Sequence, residues 1–312
     1  MNMIFNPYIM FLLGLFFLII GSEQVIENSK RIAAKFNIPK LIIGITIVAL
    51  GTSFPELVVS VISSYKNQGD IAISNVIGSN IANIGLVLGL IVAIKPMDMI
   101  VNAKLCYNLI FLFISTLLLA IFTIYNYLGF IHGVFLFIVL IVYLFYLFKK
   151  FSRDEIKKEP SSDFKFIHIS QLIIGFILIG IGSEYFINSI ILISKNLGFI
   201  NNIAISMSIV ALGTSLPELM TSIMAIMKKE KGLVIGNIIG SNILNVFLVL
   251  GSAIIINPIN LNFNLIKEHL LILFIITILL ISILYVFKKL NRITGYIFIC
   301  IYFIFIYINF FS

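Results

Sequence analysis

Apolar runs of about twenty residues recur along almost the whole chain, and they limit what it can fold into more than any other feature. A helix needs ~20 mostly apolar residues to cross a bilayer, and ten such stretches occur, near 8–28, 40–65, 71–94, 104–124, 128–148, 168–194, 200–227, 232–257, 264–287 and 293–311. Apolar residues fill 61% of the 312 positions and charged residues 11%, against ~45–50% and ~25% in soluble domains. That balance excludes an ordinary water-soluble enzyme, a disordered tail and a secreted disulfide scaffold. An all-α integral membrane protein is expected, with ten transmembrane helices. The first stretch has no basic leader and no A-x-A-type cleavage site, so it is expected to stay as a helix. Cys106 and Cys300 lie in apolar runs, where a thiol packs as a small hydrophobe.

Ten spans divide the loops into two sets, and the cations test the division. Eighteen of the 21 Lys and Arg fall on one side, and only Lys66, Lys195 and Lys267 on the other. By the positive-inside rule the heavy side is cytoplasmic, which predicts a multi-pass plasma-membrane protein with both termini outside. The net charge of +8 then reports orientation rather than a nucleic-acid partner. The longest polar segment, 149–165, reads as a cytoplasmic linker. The expected organisation is a first five-helix half at 1–148, the linker at 149–167 and a second half at 168–312.

The halves repeat each other. Residues 47–57 read IVALGTSFPEL and 209–219 read IVALGTSLPEL, ten of eleven identical at an offset of 162. At the same offset, NVIGSNIANIGLVLG at 75–89 matches NIIGSNILNVFLVLG at 237–251 in eleven of fifteen positions. A weaker echo pairs Gly21-Ser22-Glu23 with Gly182-Ser183-Glu184 at an offset of 161. Lipid-facing bias can align Leu with Ile, but it does not align Thr, Ser, Pro, Glu and Asn in register. Because five is odd, the second half enters the membrane from the opposite side. The repeats are therefore expected to be inverted, with a site at the midplane between them.

The repeated residues suit a cation. Pro55 and Pro217 alone among the seven prolines fall inside spans, and each opposes the carbonyl four residues earlier, at Gly51 and Gly213, which predicts a kink with freed carbonyl oxygens. Glu56 and Glu218 follow directly. A carboxylate within the membrane is costly unless protonated, paired or bound to a metal, and neither motif holds a Lys or Arg. Thr52 with Glu56, Ser79 with Asn83, Thr214 with Glu218 and Ser241 with Asn245 are i,i+4 pairs, each on one helix face. The set offers oxygen and no sulfur or imidazole, which favours hard cations such as calcium. An empty pair of carboxylates would draw in sodium or protons, and such competition is the physical basis of antiport. Gly78, Gly85, Gly89, Gly240 and Gly251 suit close helix approach, and Phe247 replaces the counterpart of Gly85. Glu23 and Glu184 read as structural or gate-supporting, and His132, His168 and His269 as interfacial. No HExxH motif or paired catalytic Asp marks an intramembrane hydrolase, so no enzyme activity and no cofactor are expected.

GTSFPE and GTSLPE, each followed by GSN-x-x-N, resemble the two alpha-repeats of the sodium/calcium exchanger branch of the calcium/cation antiporters. The resemblance covers essentially the whole chain. It implies alternating-access exchange of sodium for calcium, with proton/calcium exchange on the same fold as the alternative, and a long first and sixth helix that slide together. It implies Glu56 and Glu218 as ligands shared by both ions, and Thr52 and Thr214 as calcium and outer ligands. Ser79 and Ser241, with the carbonyls of Ala49 and Ala211, would hold sodium. Asn83 and Asn245 would flank the middle position, and Ser53 and Ser215 complete the candidate set. The potassium-dependent branch has Asp where this chain has Asn245, which speaks against potassium co-transport. The implied partners are the two ions and the bilayer, with no obligatory protein partner.

Overall fold

In a computed structural model, residues 6–98, 101–151, 165–196 and 213–311 are described. They form helices α1 (Pro7–Lys35), α2 (Lys40–Thr52), α3 (Phe54–Tyr65), α4 (Gly69–Ile94), α5 (Ala103–Ile124), α6 (Phe130–Phe151), α7 (Ile167–Asn196), α8 (Leu216–Met227), α9 (Lys231–Ile256), α10 (Phe263–Phe287) and α11 (Arg292–Phe311). Among them seven helices are long and apolar enough to cross a membrane, eight when α2 and α3 are taken as one span bent by 47°. The remaining two, α8 and the stretch Arg292–Ile308 of α11, are shorter apolar helices. In lipid, helices satisfy their own backbone, and asparagines settle where several of them begin. Asn6 accepts the Tyr8 N–H at 2.9 Å, Asn102 that of Leu105 at 3.0 Å and Asn291 that of Thr294 at 2.9 Å.

The expected mid-span kinks are in fact breaks. The first helix stops at Thr52, Ser53 leaves helical geometry, and Pro55 lies in the first turn of α3. Proline has no N–H to lose there, so a restarted helix accommodates it better than a continuous one. Residues 213–214, Ser215 and Pro217 repeat the arrangement ahead of α8. Among the described residues three stretches widen to π geometry: Gly44–Val48 in α2, Asn83–Leu88 in α4 and Asn245–Leu250 in α9. The last two lie 162 residues apart and follow the repeated GSN.

Buried positions place α4 and α9 at the centre. In their most apolar windows 78% and 83% of residues are buried, against 22–44% in the other long helices. Contacts around them come in matched sets at the repeat offset. Two-residue strands pair as β1 (Met97–Asp98) with β4 (Lys289–Leu290) and β2 (Tyr127–Leu128) with β3 (Ile259–Asn260), in registers Met97↔Leu290 and Leu128↔Ile259. A Cβ on Gly295 would lie 2.7 Å from the Gly89 carbonyl oxygen, and one on Gly133 would lie 2.9 Å from that of Gly251. α1 and α7 run antiparallel. Gly14 meets Gly182 and Gly21 meets Gly175, with hypothetical Cβ atoms 2.8–3.0 Å from the facing carbonyl oxygens. Each pair exchanges onto the other at an offset of 161, as in an isologous contact.

The matched loops are not equally relaxed. Left-handed backbone occurs at Asn67 (φ 61°) and its counterpart Lys229 (φ 62°), and at Asn126 (φ 56°) and Lys288 (φ 51°). Asn tolerates that region and Lys does so at a cost of roughly 1 kcal/mol. Exposed Lys288 changed to Asn, as in the first half, is expected to raise stability by a few tenths to about 1 kcal/mol, read from the midpoint of thermal unfolding in detergent.

Candidate cation-binding site

The break between α2 and α3 sets Thr52, Ser53 and Glu56 around one bend, and the break before α8 does the same for Thr214, Ser215 and Glu218. Both glutamates are 0% exposed, and among the described residues no Lys or Arg pairs with either. They share one locus, joined by a side chain that reaches from one motif to the other. Ser53 of the first motif donates to Oε1 of Glu218 in the second at 3.0 Å. Ser241 of α9 donates to the same oxygen at 3.3 Å and faces the Thr52 hydroxyl at 3.5 Å. Thr214 stands beside the Glu56 carboxylate.

Around this locus, oxygens lack hydrogen-bond partners. Both carboxylate oxygens of Glu56, Oε2 of Glu218, the hydroxyls of Ser79 and Ser215, and the amide oxygens of Asn83 and Asn245 are all buried and unpartnered. Buried polar atoms are normally satisfied, and a cluster of oxygens on four helical segments has the chemistry to take up a cation. Oxygen donors with a formal charge of −2 fit a calcium ion, which takes 6–8 oxygens, or monovalent cations in its place. Asn83 and Asn245 each open a π stretch, a distortion frequent at functional sites.

Hydrogen bonds thus join Thr52, Ser53, Ser241 and Glu218 directly. Ser79, Asn83, Ser215 and Asn245 contribute unpartnered oxygens but no bond to either carboxylate. The Ala49 carbonyl accepts the Ser53 N–H at 2.9 Å and the Thr52 hydroxyl at 3.3 Å. Ala211 lies outside the described residues. Two residues that frame the site escaped notice in the sequence. Asn75 donates to the Glu56 carbonyl at 3.2 Å and to Ser60 at 2.9 Å. Its counterpart Asn237 donates to Thr221 at 3.1 Å and Ser222 at 3.2 Å, and accepts from Thr52 at 3.1 Å. The available signal was their place at the head of each second motif, four residues before Ser79 and Ser241.

Glu23 finds its partner at one edge of the fold. Lys228, just past α8, binds Glu23 at 2.9 Å and Glu27 at 2.7 Å, and Glu230 pairs with Lys30 at 3.4 Å and Lys40 at 3.2 Å. Glu184 is exposed. Of the histidines read as interfacial, His168 is buried, its Nδ1 accepting the Lys165 N–H at 2.9 Å. A cavity of about 210 Å³ between α7 and α8 is lined by Phe186, Ile187, Ile190 and Leu219 and reaches Ser215.

A family described as sodium/calcium exchanger protein matches residues 6–149 and 167–311. An uncharacterized membrane protein of Methanocaldococcus jannaschii is 36% identical over 301 residues, 94% of this chain and 95% of its own. The sodium/calcium exchanger MaX1 of Methanosarcina acetivorans is 29% identical over 83% of this chain and 85% of its own. A solved structure of the sodium-calcium exchanger NCX_Mj superposes with a TM-score of 0.85 at 35% identity, covering 97% of this chain and 98% of that one.

Proposed function

From the premise that the chain belongs to the sodium/calcium exchanger protein family, we propose that it is an antiporter moving calcium against sodium by alternating access. The cluster of unpartnered buried oxygens around Glu56 and Glu218 carries this reading. Glu56 and Glu218 serve both ions. Thr52, Thr214, Ser53 and Ser215 line the bends, Ser79 and Ser241 with the Ala49 and Ala211 carbonyls serve sodium, and Asn83 and Asn245 flank the centre. With calcium bound, the two carboxylates are neutralised. Without cations their mutual repulsion in a dry site opposes crossing, which couples the two fluxes.

Ten spans arranged as two inverted halves, 1–148 and 168–312 around a cytoplasmic linker, fit the matched contacts and the antiparallel α1 and α7. Both termini then lie outside the plasma membrane. One contact breaks the symmetry: α1 packs against α8, and Lys228 fastens that contact, whereas α7 makes no comparable contact with α3 among the described residues. The cavity beside α7 lies on the side away from Lys228. This favours a conformation closed to the cytoplasm, with access to the site from outside. Shear between packed helices is one recognised route for such switching.

Reconstituted vesicles test the proposal. Calcium flux is expected to follow an imposed sodium gradient and to reverse with it, without potassium. Flux that ignores sodium and follows a pH gradient would overturn sodium coupling in favour of proton exchange.

A further inference from the structure

We infer that Asn80 is a positioning residue that turns the amide oxygen of Asn245 toward the transported cation. The inference rests on the exchange reading above and concerns how one of its ligands is oriented.

Donors and acceptors alternate through a buried chain of amides. The carbonyl of Asn242 can only accept, and the Asn80 side chain meets it at 3.2 Å. That contact must therefore be made by the Asn80 amide nitrogen, leaving Oδ1 to face Asn245. Asn245 must then present its own nitrogen, which it does at 3.0 Å. Its oxygen is left on the opposite side, buried and without a partner. Asn245 lies one turn beyond Ser241, whose hydroxyl binds the Glu218 carboxylate, so that oxygen belongs to the face lining the cation locus. An amide is a useful ligand only when its oxygen points inward, because its NH₂ end repels a cation. Asn80 and Asn245 are 1% and 0% exposed, so water does not substitute for either contact.

The symmetry-related positions show that the contact is specific. Asn242, the counterpart of Asn80, donates instead to the Ile238 carbonyl of its own helix at 2.7 Å. Asn83, the counterpart of Asn245, has neither nitrogen nor oxygen engaged. One amide of the site is therefore held by a hydrogen bond and the other has none. Asn80 on α4 also bridges to α9, so the lock joins the two halves.

The test uses sodium-driven calcium uptake into vesicles by the full chain. Asn80→Ala is expected to raise the KM for calcium roughly 10- to 100-fold, the usual cost of losing a ligand's supporting contact, with the maximal rate largely kept. Asn245→Asp removes the need for orientation, because both ends of a carboxylate are oxygen. In that background Asn80→Ala is expected to change the calcium KM less than about twofold. A merely structural role would give comparable fold-losses in both backgrounds; that result overturns the inference, as does an unchanged KM for Asn80→Ala alone. Where Asn245→Asp transports slowly, the calcium-induced rise in melting temperature reads the same affinities. Absence of sodium-driven uptake by the unmodified protein would overturn the exchange reading itself, whereas intact uptake with an unchanged Asn80→Ala KM overturns only the orientation.

Discussion

Glu56→Gln and Glu218→Gln are each expected to abolish sodium-driven calcium flux while leaving the protein folded. Either change removes half the formal charge of the locus but keeps the side chain's size. Breaking one partner of a buried charge cluster costs about 3–5 kcal/mol, which corresponds to roughly two to three and a half orders of magnitude in calcium affinity. Stability should move the other way in the absence of ions. Two unneutralised carboxylates repel each other in the dry interior, so one neutral amide relieves strain and the ion-free variant should melt no lower than the unmodified protein. Calcium at about a hundred times its dissociation constant should stabilise the unmodified protein by about 2.7 kcal/mol and the variants far less. Transport retained by both variants, with calcium stabilisation intact, would remove the ligand assignment.

Gly21→Ala and Gly182→Ala are expected to destabilise the fold sharply, while Gly180→Ala, two residues away on another face of α7, does no harm. A Cβ on Gly182 would lie 2.8 Å from the Leu18 nitrogen and 2.9 Å from the Gly14 carbonyl oxygen, and one on Gly21 would lie 2.8 Å from the Gly175 carbonyl oxygen. Those obstacles are backbone, which cannot rotate aside, so α1 and α7 must separate. Overpacking of this kind costs about 1–3 kcal/mol, a fall of roughly 2–8 °C in melting temperature. At Gly180 nothing lies within 4 Å, and alanine gains up to about 1 kcal/mol of helix propensity. Melting in detergent separates the two classes. Equal effects at Gly180 and Gly182 would show that the glycines act through helix propensity and not through the interhelical contact. Because α1 and α7 are also the helices proposed to slide during exchange, flux measured on the surviving fraction would show whether their close approach matters for exchange as well as for folding.

The apolar membrane-spanning character, the internal repeat and the two glutamates buried beside prolines were legible in the sequence because each has a local cause. A spanning helix must be apolar along its own length, and a buried carboxylate beside a proline is anomalous wherever the chain places it. The i,i+4 pairs, such as Ser241 with Asn245, were readable for the same reason: one turn of helix fixes them. Other features depended on which segments meet. Pro55 read as a kink, yet the helix ends at Thr52 and restarts at Phe54, the two pieces meeting at 47°. Ser53 reaches Glu218 across 165 residues, and Asn80 reaches Asn245 across the same separation. No spacing rule encodes such contacts. The packing of Gly14 on Gly182 and Gly21 on Gly175 likewise needed both helices in place. A sequence specifies what each helix must hide; the direction in which an amide turns, and which helix covers which, follow only once the backbones have come within reach of one another.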